Sequence, residues 1–177
     1  LILAILGSKE GDPLPNIIDR EAITSKFFQA YQHLYKNLRE AFQDRGLIEK
    51  DAAHEAEVLL SRLMFLKFLE KKRWLDGDPN YLRNKFDGKR FRSFFDSVLD
   101  PLFFDVLDVP EEKRKKDVNV PFLNGGLFKA PSRRNYDLPD ELFDPGRQGS
   151  VLQTFDQFEF FADEIVGRED NTRVDPS

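Results

Sequence analysis

The 177-residue sequence contains no cysteine, two histidines, one methionine and one tryptophan. Without cysteine the chain cannot form a disulfide, a thiolate zinc centre or a catalytic thiol. The histidines, His33 and His54, fall on separate predicted helices, and no His-Glu-x-x-His string is present. Both are therefore expected to be surface or half-buried helix residues, and no metal ligand is predicted in the chain.

Glycine patterns that bind phosphates are also missing. No two glycines are separated by a single residue, so neither a dinucleotide-binding fingerprint nor a P-loop is present. The composition allows a Ser-His-Asp triad, but there is no Gly-x-Ser-x-Gly elbow to present its nucleophile. The sequence therefore predicts no catalytic residue and no cofactor-binding residue.

Long apolar runs are absent as well. The longest, residues 1–6, is far below the ~18 residues of a transmembrane helix. It also has no basic leader and no small-residue cleavage site, as a signal peptide would. With 40% hydrophobic and 33% charged residues, the composition is that of one ordinary globular domain. A cytoplasmic protein without membrane contact is expected.

Charge is segregated along the chain, although the formal net charge is only −5. Residues 62–92 and residues 113–136 each have a net charge of +6, whereas residues 93–112 have −6 and residues 137–177 have −8. Runs of charge are usually solvated faces. Two basic segments can nevertheless bind a polyanion, because contact depends on local potential rather than on net charge.

Phenylalanine is unusually frequent, with 18 residues against four tyrosines. Adjacent residues on a helix point about 100° apart, so adjacent phenylalanines suit elements that are packed on more than one side. Core packing is the main interpretation, and stacking on nucleic-acid bases is the alternative. The adjacent pairs are Phe27-Phe28, Phe94-Phe95, Phe103-Phe104 and Phe160-Phe161.

Hydrophobic spacing predicts a mainly α fold. Apolar residues at three- and four-residue steps predict a helix from about Asp19 that ends at Gly46. A second helix is predicted over residues 51–73. Its middle, residues 58–69, is apolar around most of its circumference, which predicts the central helix of a bundle.

Three shorter helical segments are predicted next. Asp78-Pro79 is a cap followed by a first-turn proline and predicts a helix to about residue 86. Amphipathic spacing predicts a helix over residues 89–99. Asp100-Pro101 repeats the cap-and-proline signal and predicts a separate helix to Leu107.

The character of the sequence changes after Pro110, where turn-forming residues become frequent. Asn124-Gly125-Gly126 allows positive φ at successive positions, so a turn or a short hairpin is predicted over residues 122–128. The predicted architecture is an irregular helical bundle with a loop-rich C-terminal half. Its segments are residues 1–18 (end of a preceding segment and a linker), 19–109 (the bundle) and 110–177 (the loop-rich extension).

One string resembles half of a metal-dependent nuclease centre. Glu111 and Lys113 form a Glu-x-Lys pattern, with several aspartates upstream. Such a site needs its acids and lysine on adjacent strands that converge on Mg²⁺. The upstream acids lie in a helical pattern instead, so a nuclease is the less favoured alternative.

The order of segments resembles the helical region that precedes the catalytic domain in large adenine-specific DNA methyltransferases. These are the type IIG restriction-modification enzymes and the methyltransferases of phage-exclusion systems. The central helix and the Asn-Gly-Gly turn are specific as a pair, and the similarity covers most of the chain from about residue 20. The matching strings are ITSKFF (23–28), LLSRLMFLKFLEKKRWL (59–75), VPFLNGGLF (120–128), DLPDELF (137–143), FEFFADE (158–164) and VDP (174–176).

The resemblance does not extend to catalysis. Family members use an Asn/Asp-Pro-Pro-Tyr/Phe loop for the flipped adenine and a glycine-rich strand end for S-adenosylmethionine. This chain has neither a Pro-Pro pair nor a Gly-x-Gly. The resemblance implies a fragment without activity of its own, followed by a methyltransferase domain. The parent enzyme would use S-adenosylmethionine, and Mg²⁺ if it also cleaves DNA.

The expected role is a connector that braces the methyltransferase domain of the same chain and contacts the DNA backbone. The alternative is a pure interaction scaffold, in which basic segments pair with acidic ones and never meet DNA. A helix macrodipole favours cations at its C-terminus and disfavours them at its start. Basic residues at the start of a helix therefore indicate contact with an external anion more strongly than basic residues at its end do. The backbone-contact candidates are Lys71, Lys72 and Arg73 at the end of the central helix and Lys89, Arg90 and Arg92 at the start of the next.

Overall fold

The computed structural model describes residues 13–87, 93–114, 119–123, 125–131 and 134–158, with side chains from residue 25 onward. These residues are mostly helical and contain no strand, which confirms the predicted mainly α fold. No helix in the described ranges is long and apolar enough to cross a membrane.

Two long helices form the framework. Helix α1 spans Pro13–Asp44 and helix α2 spans Glu49–Lys71, and the two pack against each other. The turn between them uses Gly46 at φ +88°, where its N–H donates to the Gln43 carbonyl over 2.8 Å. The predicted stop at Gly46 is confirmed, because glycine adopts this left-handed conformation without a steric cost.

Helix α2 is the central helix. Its leucines are buried on several sides, and it contacts α1, helix α3 (Tyr81–Asp87) and helix α4 (Val151–Gln157). A helix that is apolar around most of its circumference needs neighbours on several sides to remove those side chains from water. The buried leucines of α2 are Leu59, Leu60, Leu63, Leu66 and Leu69.

The predicted break at Asp100-Pro101 is wrong. Helical structure continues from Phe94 to Leu107 through π-type turns at Phe95–Leu99 and Leu102–Leu107. Asp100 has helical φ and ψ of −58° and −50°, and its N–H donates to the Phe95 carbonyl. Its carboxylate does not cap a helix, because Arg134 Nε donates to Asp100 Oδ1 over 2.8 Å.

The predicted hairpin over residues 122–128 is also not formed. The Leu123 N–H donates to the Leu107 carbonyl over 2.8 Å, and Gly126–Phe128 is a 3₁₀ turn. The Phe128 ring is buried with its centroid 5.8 Å from that of Phe103 and 5.9 Å from that of Phe65. Both arms of the loop are therefore held by the helical core rather than by each other.

The loop-rich half packs onto the same core through its own aromatic residues. Tyr136 meets Phe42 edge to face at 4.9 Å between centroids, and the Phe143 ring lies 5.8 Å from that of Phe94. Residues on both sides of residue 110 therefore share one hydrophobic core. The division into residues 1–18, 19–109 and 110–177 stays a prediction.

The predicted core position is confirmed for some of the adjacent phenylalanine pairs and not for others. Phe94-Phe95 and Phe103-Phe104 are buried, whereas Phe28 is exposed and Phe27 is half-buried. Phe160 and Phe161 lie outside the described residues. Core packing thus accounts for the two pairs on the π-helical segment.

Candidate nucleic-acid interface

The first cluster of predicted DNA contacts lies where α2 ends. Lys71 is the last helical residue, Lys72 follows it, and Arg73 turns the chain with a φ of +58°. Lys71 and Arg73 are exposed, whereas Lys72 is half-buried with Nζ 6.0 Å from the Phe68 ring centroid. We call residues 71–78 the basic loop.

Backbone hydrogen bonds hold the basic loop in one conformation. The Arg73 N–H donates to the Glu70 carbonyl and the Trp74 N–H to the Leu69 carbonyl, both over 2.9 Å. The next residue, Leu75, is completely buried, so the loop is anchored on the far side of Trp74 as well. The backbone that carries the basic residues at the start of the loop is therefore held on both sides.

Asn119, which is distant in the sequence, forms hydrogen bonds with the second half of the basic loop. The Asp76 N–H donates to the Asn119 carbonyl, and the Asn119 N–H donates to Asp76 Oδ1, each over 2.9 Å. Asp78 accepts from the Asn80 N–H and from Asn84 Nδ2, both over 2.8 Å. The Asn84 hydrogen bond, followed by that of Asn80, lowers the pKa of Asp78.

These bonds occupy the acids of the loop and leave Lys71 and Arg73 without them as partners. The carboxylates of Asp76 and Asp78 are engaged by backbone and amide donors rather than by the basic side chains. Within the described ranges, Lys71 and Arg73 make no ion pair. The loop therefore presents two exposed positive charges that no acid of the described residues neutralises.

An ionic network with a buried centre and exposed ends lies at the base of the loop. Lys67 Nζ pairs with Glu70 Oε1 and also lies 2.7 Å from Asp156 Oδ1. Glu70 Oε2 accepts the Leu82 N–H over 2.7 Å, and Arg83 Nη2 lies 3.2 Å from Asp156 Oδ2. Four charged side chains thus join α2, α3 and α4 directly beneath the basic loop.

The second cluster of predicted contacts, Lys89, Arg90 and Arg92, lies outside the described residues. So does Asn124 of the Asn-Gly-Gly motif. Of the two glycines, Gly125 is extended with φ −145°, and neither it nor Gly126 has a positive φ. The positive φ that glycine allows is therefore not adopted at either of these two glycines.

Arg62 joins the central helix to the segment that follows Gly125 and Gly126. Its Nε donates to the Leu127 carbonyl over 2.7 Å and its Nη2 to the Lys129 carbonyl over 3.3 Å. The guanidinium lies 4.8 Å from the Phe104 ring centroid, and burial lowers its pKa. The sequence placed Arg62 in a basic segment and within the apolar stretch 58–69, and no role was predicted for it. Its position among leucines was the available signal that it is buried.

Two aspartates of the nuclease alternative form ion pairs with one arginine. Arg134 bridges Asp100 and Asp105, with Nη1 3.0 Å from Asp105 Oδ1. The hydrogen bonds that Arg134 donates to the two carboxylates, that to Asp100 first, raise the pKa of Arg134. Glu111 and Lys113 lie on a single 3₁₀ turn, not on a strand. No cluster of three or more His, Asp or Glu residues able to hold a metal ion is found in the described ranges.

Both histidines lie exposed, His33 on α1 and His54 on α2. The expected surface position is confirmed for both. His33 Nε2 is 3.1 Å from Asn37 Nδ2, one helical turn further along. His54 lines a cleft of about 440 Å³ between α2 and residues 126–131, together with Glu55, whose pKa burial raises.

Comparison with known proteins gives one informative similarity. The chain is 31% identical over 133 residues to a Methanocaldococcus jannaschii protein provisionally described as a type II restriction enzyme and methyltransferase. The chain is related to restriction-modification proteins. The matched region covers 69% of this chain and 11% of that relative.

No protein-family model matches the chain, and no solved structure matches it. Because the chain spans about a tenth of the relative, the similarity concerns a small part of a much larger protein. The expected relation to restriction-modification enzymes is confirmed at this level.

Proposed function

We propose that this chain is a non-catalytic helical connector of a restriction-modification type, adenine-specific DNA methyltransferase. It braces the methyltransferase domain of the same chain and contacts the DNA backbone. The observation that carries the DNA contact is the basic loop, where Lys71 and Arg73 are exposed and have no ion-pair partner among the described residues, while the neighbouring carboxylates are engaged. The relation to a restriction-modification protein supplies the context.

Phosphate contact fits the loop better than a purely structural role. The macrodipole of α2 favours cations at its end, by about 0.3–1 kcal/mol at exposed sites. That effect falls off within the last turn, and Arg73 lies beyond the helix in a left-handed conformation. A fixed cation outside the helix is better explained by an external anion, and contacts to DNA phosphates position a protein without reading sequence.

The proposed DNA contact also includes the second cluster of basic residues. Lys89, Arg90 and Arg92 follow α3 and lie at most 21 residues after Lys71 in the sequence. We propose them as further backbone contacts. Their reversal to glutamate in the parent enzyme is expected to weaken binding similarly for all DNA sequences.

Catalysis and cofactor binding are assigned to the rest of the parent enzyme. S-adenosylmethionine would be its methyl donor, with Mg²⁺ if it also cleaves DNA. Target-base flipping by such enzymes makes backbone clamping beside the site a useful contribution. The purified chain is expected to fold as a helical domain and neither to bind S-adenosylmethionine nor to methylate DNA. Isothermal titration with the cofactor tests this, and micromolar binding would contradict it.

Charge reversal tests the DNA contact. The double variant Lys71→Glu/Arg73→Glu is expected to bind a labelled duplex about tenfold more weakly at low salt, because two DNA phosphates are no longer neutralised. Fluorescence anisotropy of the duplex gives the affinity. Lys72 is left unchanged because its ammonium lies over the Phe68 ring.

A matched control separates local contact from net charge. Lys36→Glu/Lys50→Glu makes the same change in charge at two exposed residues of α1 and α2. Lys50 is 21 residues from Lys71 on α2, about 31 Å at 1.5 Å per residue. The control is expected to retain near-normal affinity. Equal reductions in affinity in both double variants would show that net charge, and not the basic loop, governs DNA binding.

A further inference from the structure

Trp74 is exposed to solvent, which is unusual for a tryptophan side chain. It is the single tryptophan of the chain, and it is 54% exposed on the basic loop. No ring of the described residues stacks on it. A large amphipathic side chain of this kind is usually buried or used at an interface.

The loop holds the Trp74 backbone rigidly while its side chain stays accessible. The Trp74 N–H is bonded to the Leu69 carbonyl, and the adjacent Leu75 is completely buried. Arg73 keeps a left-handed φ of +58°, which a non-glycine residue adopts at an energetic cost. A side chain carried on a backbone held in this way loses less conformational freedom on binding than one on an unsupported loop.

The cations beside Trp74 indicate which partner the ring fits. Arg73 is its immediate neighbour and Lys71 lies three residues before it, and both are unpaired within the described residues. A nucleic-acid strand offers phosphates next to every base, so an exposed aromatic side chain beside cations matches its repeating unit. Proteins that bind single strands combine a positive surface with aromatic stacking in this way.

We infer that Trp74 stacks on an unpaired DNA base while Lys71 and Arg73 bind the flanking phosphates. The basic loop then prefers single-stranded or locally opened DNA to a fully paired duplex. This inference rests on the proposed DNA contact and adds a ligand feature to it, the exposed face of a base.

Tryptophan fluorescence gives a direct test, because all the tryptophan emission of the chain comes from Trp74. The chain is titrated with a single-stranded oligonucleotide, with a duplex carrying one extrahelical base, and with the same duplex fully paired. Strong quenching is expected with the first two and weak quenching with the third. Polyphosphate and polyglutamate, which are anions without bases, are expected to leave the emission nearly unchanged.

Affinity measurements separate stacking from charge. Trp74→Ala is expected to weaken single-strand binding about tenfold, and Trp74→Phe to weaken it less, because phenylalanine retains an aromatic face. Phe28→Ala is the matched control, since Phe28 is a 56% exposed aromatic residue away from the basic loop. Trp74→Ala should leave the salt dependence of binding unchanged, since no cation is removed.

Each other outcome overturns the inference in an identifiable way. If DNA binds and depends on Lys71 and Arg73, but Trp74→Ala binds single strands like the wild type, stacking is absent and the phosphate contact stands. If no DNA of any kind binds, both the inference and the proposed DNA contact fail. If polyglutamate quenches the emission as strongly as the oligonucleotide, the loop is a docking surface for acidic protein.

Discussion

Replacing Glu70 by alanine is expected to lower the free energy of unfolding by about 3–5 kcal/mol, the usual cost of removing one partner from a buried ion pair. Glu70 is 1% exposed and pairs with Lys67, which is 4% exposed. Its other oxygen accepts the Leu82 N–H. The variant would leave that N–H without its acceptor and Lys67 with Asp156 as its remaining acidic partner.

Urea denaturation followed by circular dichroism measures this effect. Glu57→Ala is the control, because Glu57 is an exposed acid on the same helix. That control is expected to change the free energy of unfolding by at most about 0.5 kcal/mol. A Glu70→Ala midpoint equal to that of the control would show that the network beneath the basic loop contributes little to stability.

Truncation of the central-helix leucines is expected to have a comparable effect. Leu63 and Leu66 are both fully buried, as their place in the all-round apolar stretch predicted. Leu63→Ala and Leu66→Ala should each cost about 2–5 kcal/mol, because less apolar surface is buried and a cavity remains. The same denaturation experiment measures both.

A truncation outside the core provides the comparison. Ile48→Ala removes similar apolar volume from a side chain that is 66% exposed, and is expected to change stability by no more than about 0.5 kcal/mol. Core variants that unfold at the same urea concentration as Ile48→Ala would contradict the central position of α2.

Features set by local sequence could be predicted. The turn at Gly46 follows from a conformational preference of one residue, and the burial of α2 follows from apolar residues around its circumference. The exposed positions of His33 and His54 follow from the same helical periodicity. Each of these needs information from no more than a few helical turns.

Features that depend on distant partners could not be predicted. Asp100 looks like a helix cap until Arg134, 34 residues later, is found to occupy its carboxylate. Glu70 belongs to a run of charged residues, yet its pairing with Lys67 and the Leu82 N–H makes it a core residue. Arg62 likewise needs the carbonyls of Leu127 and Lys129, 65 and 67 residues away.

The candidate interface shows the same limit. The sequence indicated Lys71, Lys72 and Arg73 from charge alone. The structure adds that Lys72 lies over Phe68, and that the acids of the loop are engaged by other donors. Which cations are free to meet a phosphate thus depends on the packing of the loop.

The central claim is that the basic loop binds DNA phosphates without regard to sequence. Its most direct test is the salt dependence of affinity, measured for the wild-type chain and for Lys71→Glu/Arg73→Glu on two duplexes of unrelated sequence. We predict equal slopes of log affinity against log salt for the two duplexes, flattened in the variant by ~0.9 for each phosphate that the protein no longer neutralises. A variant with the wild-type affinity and slope on both duplexes, and with its fold intact, would contradict the claim.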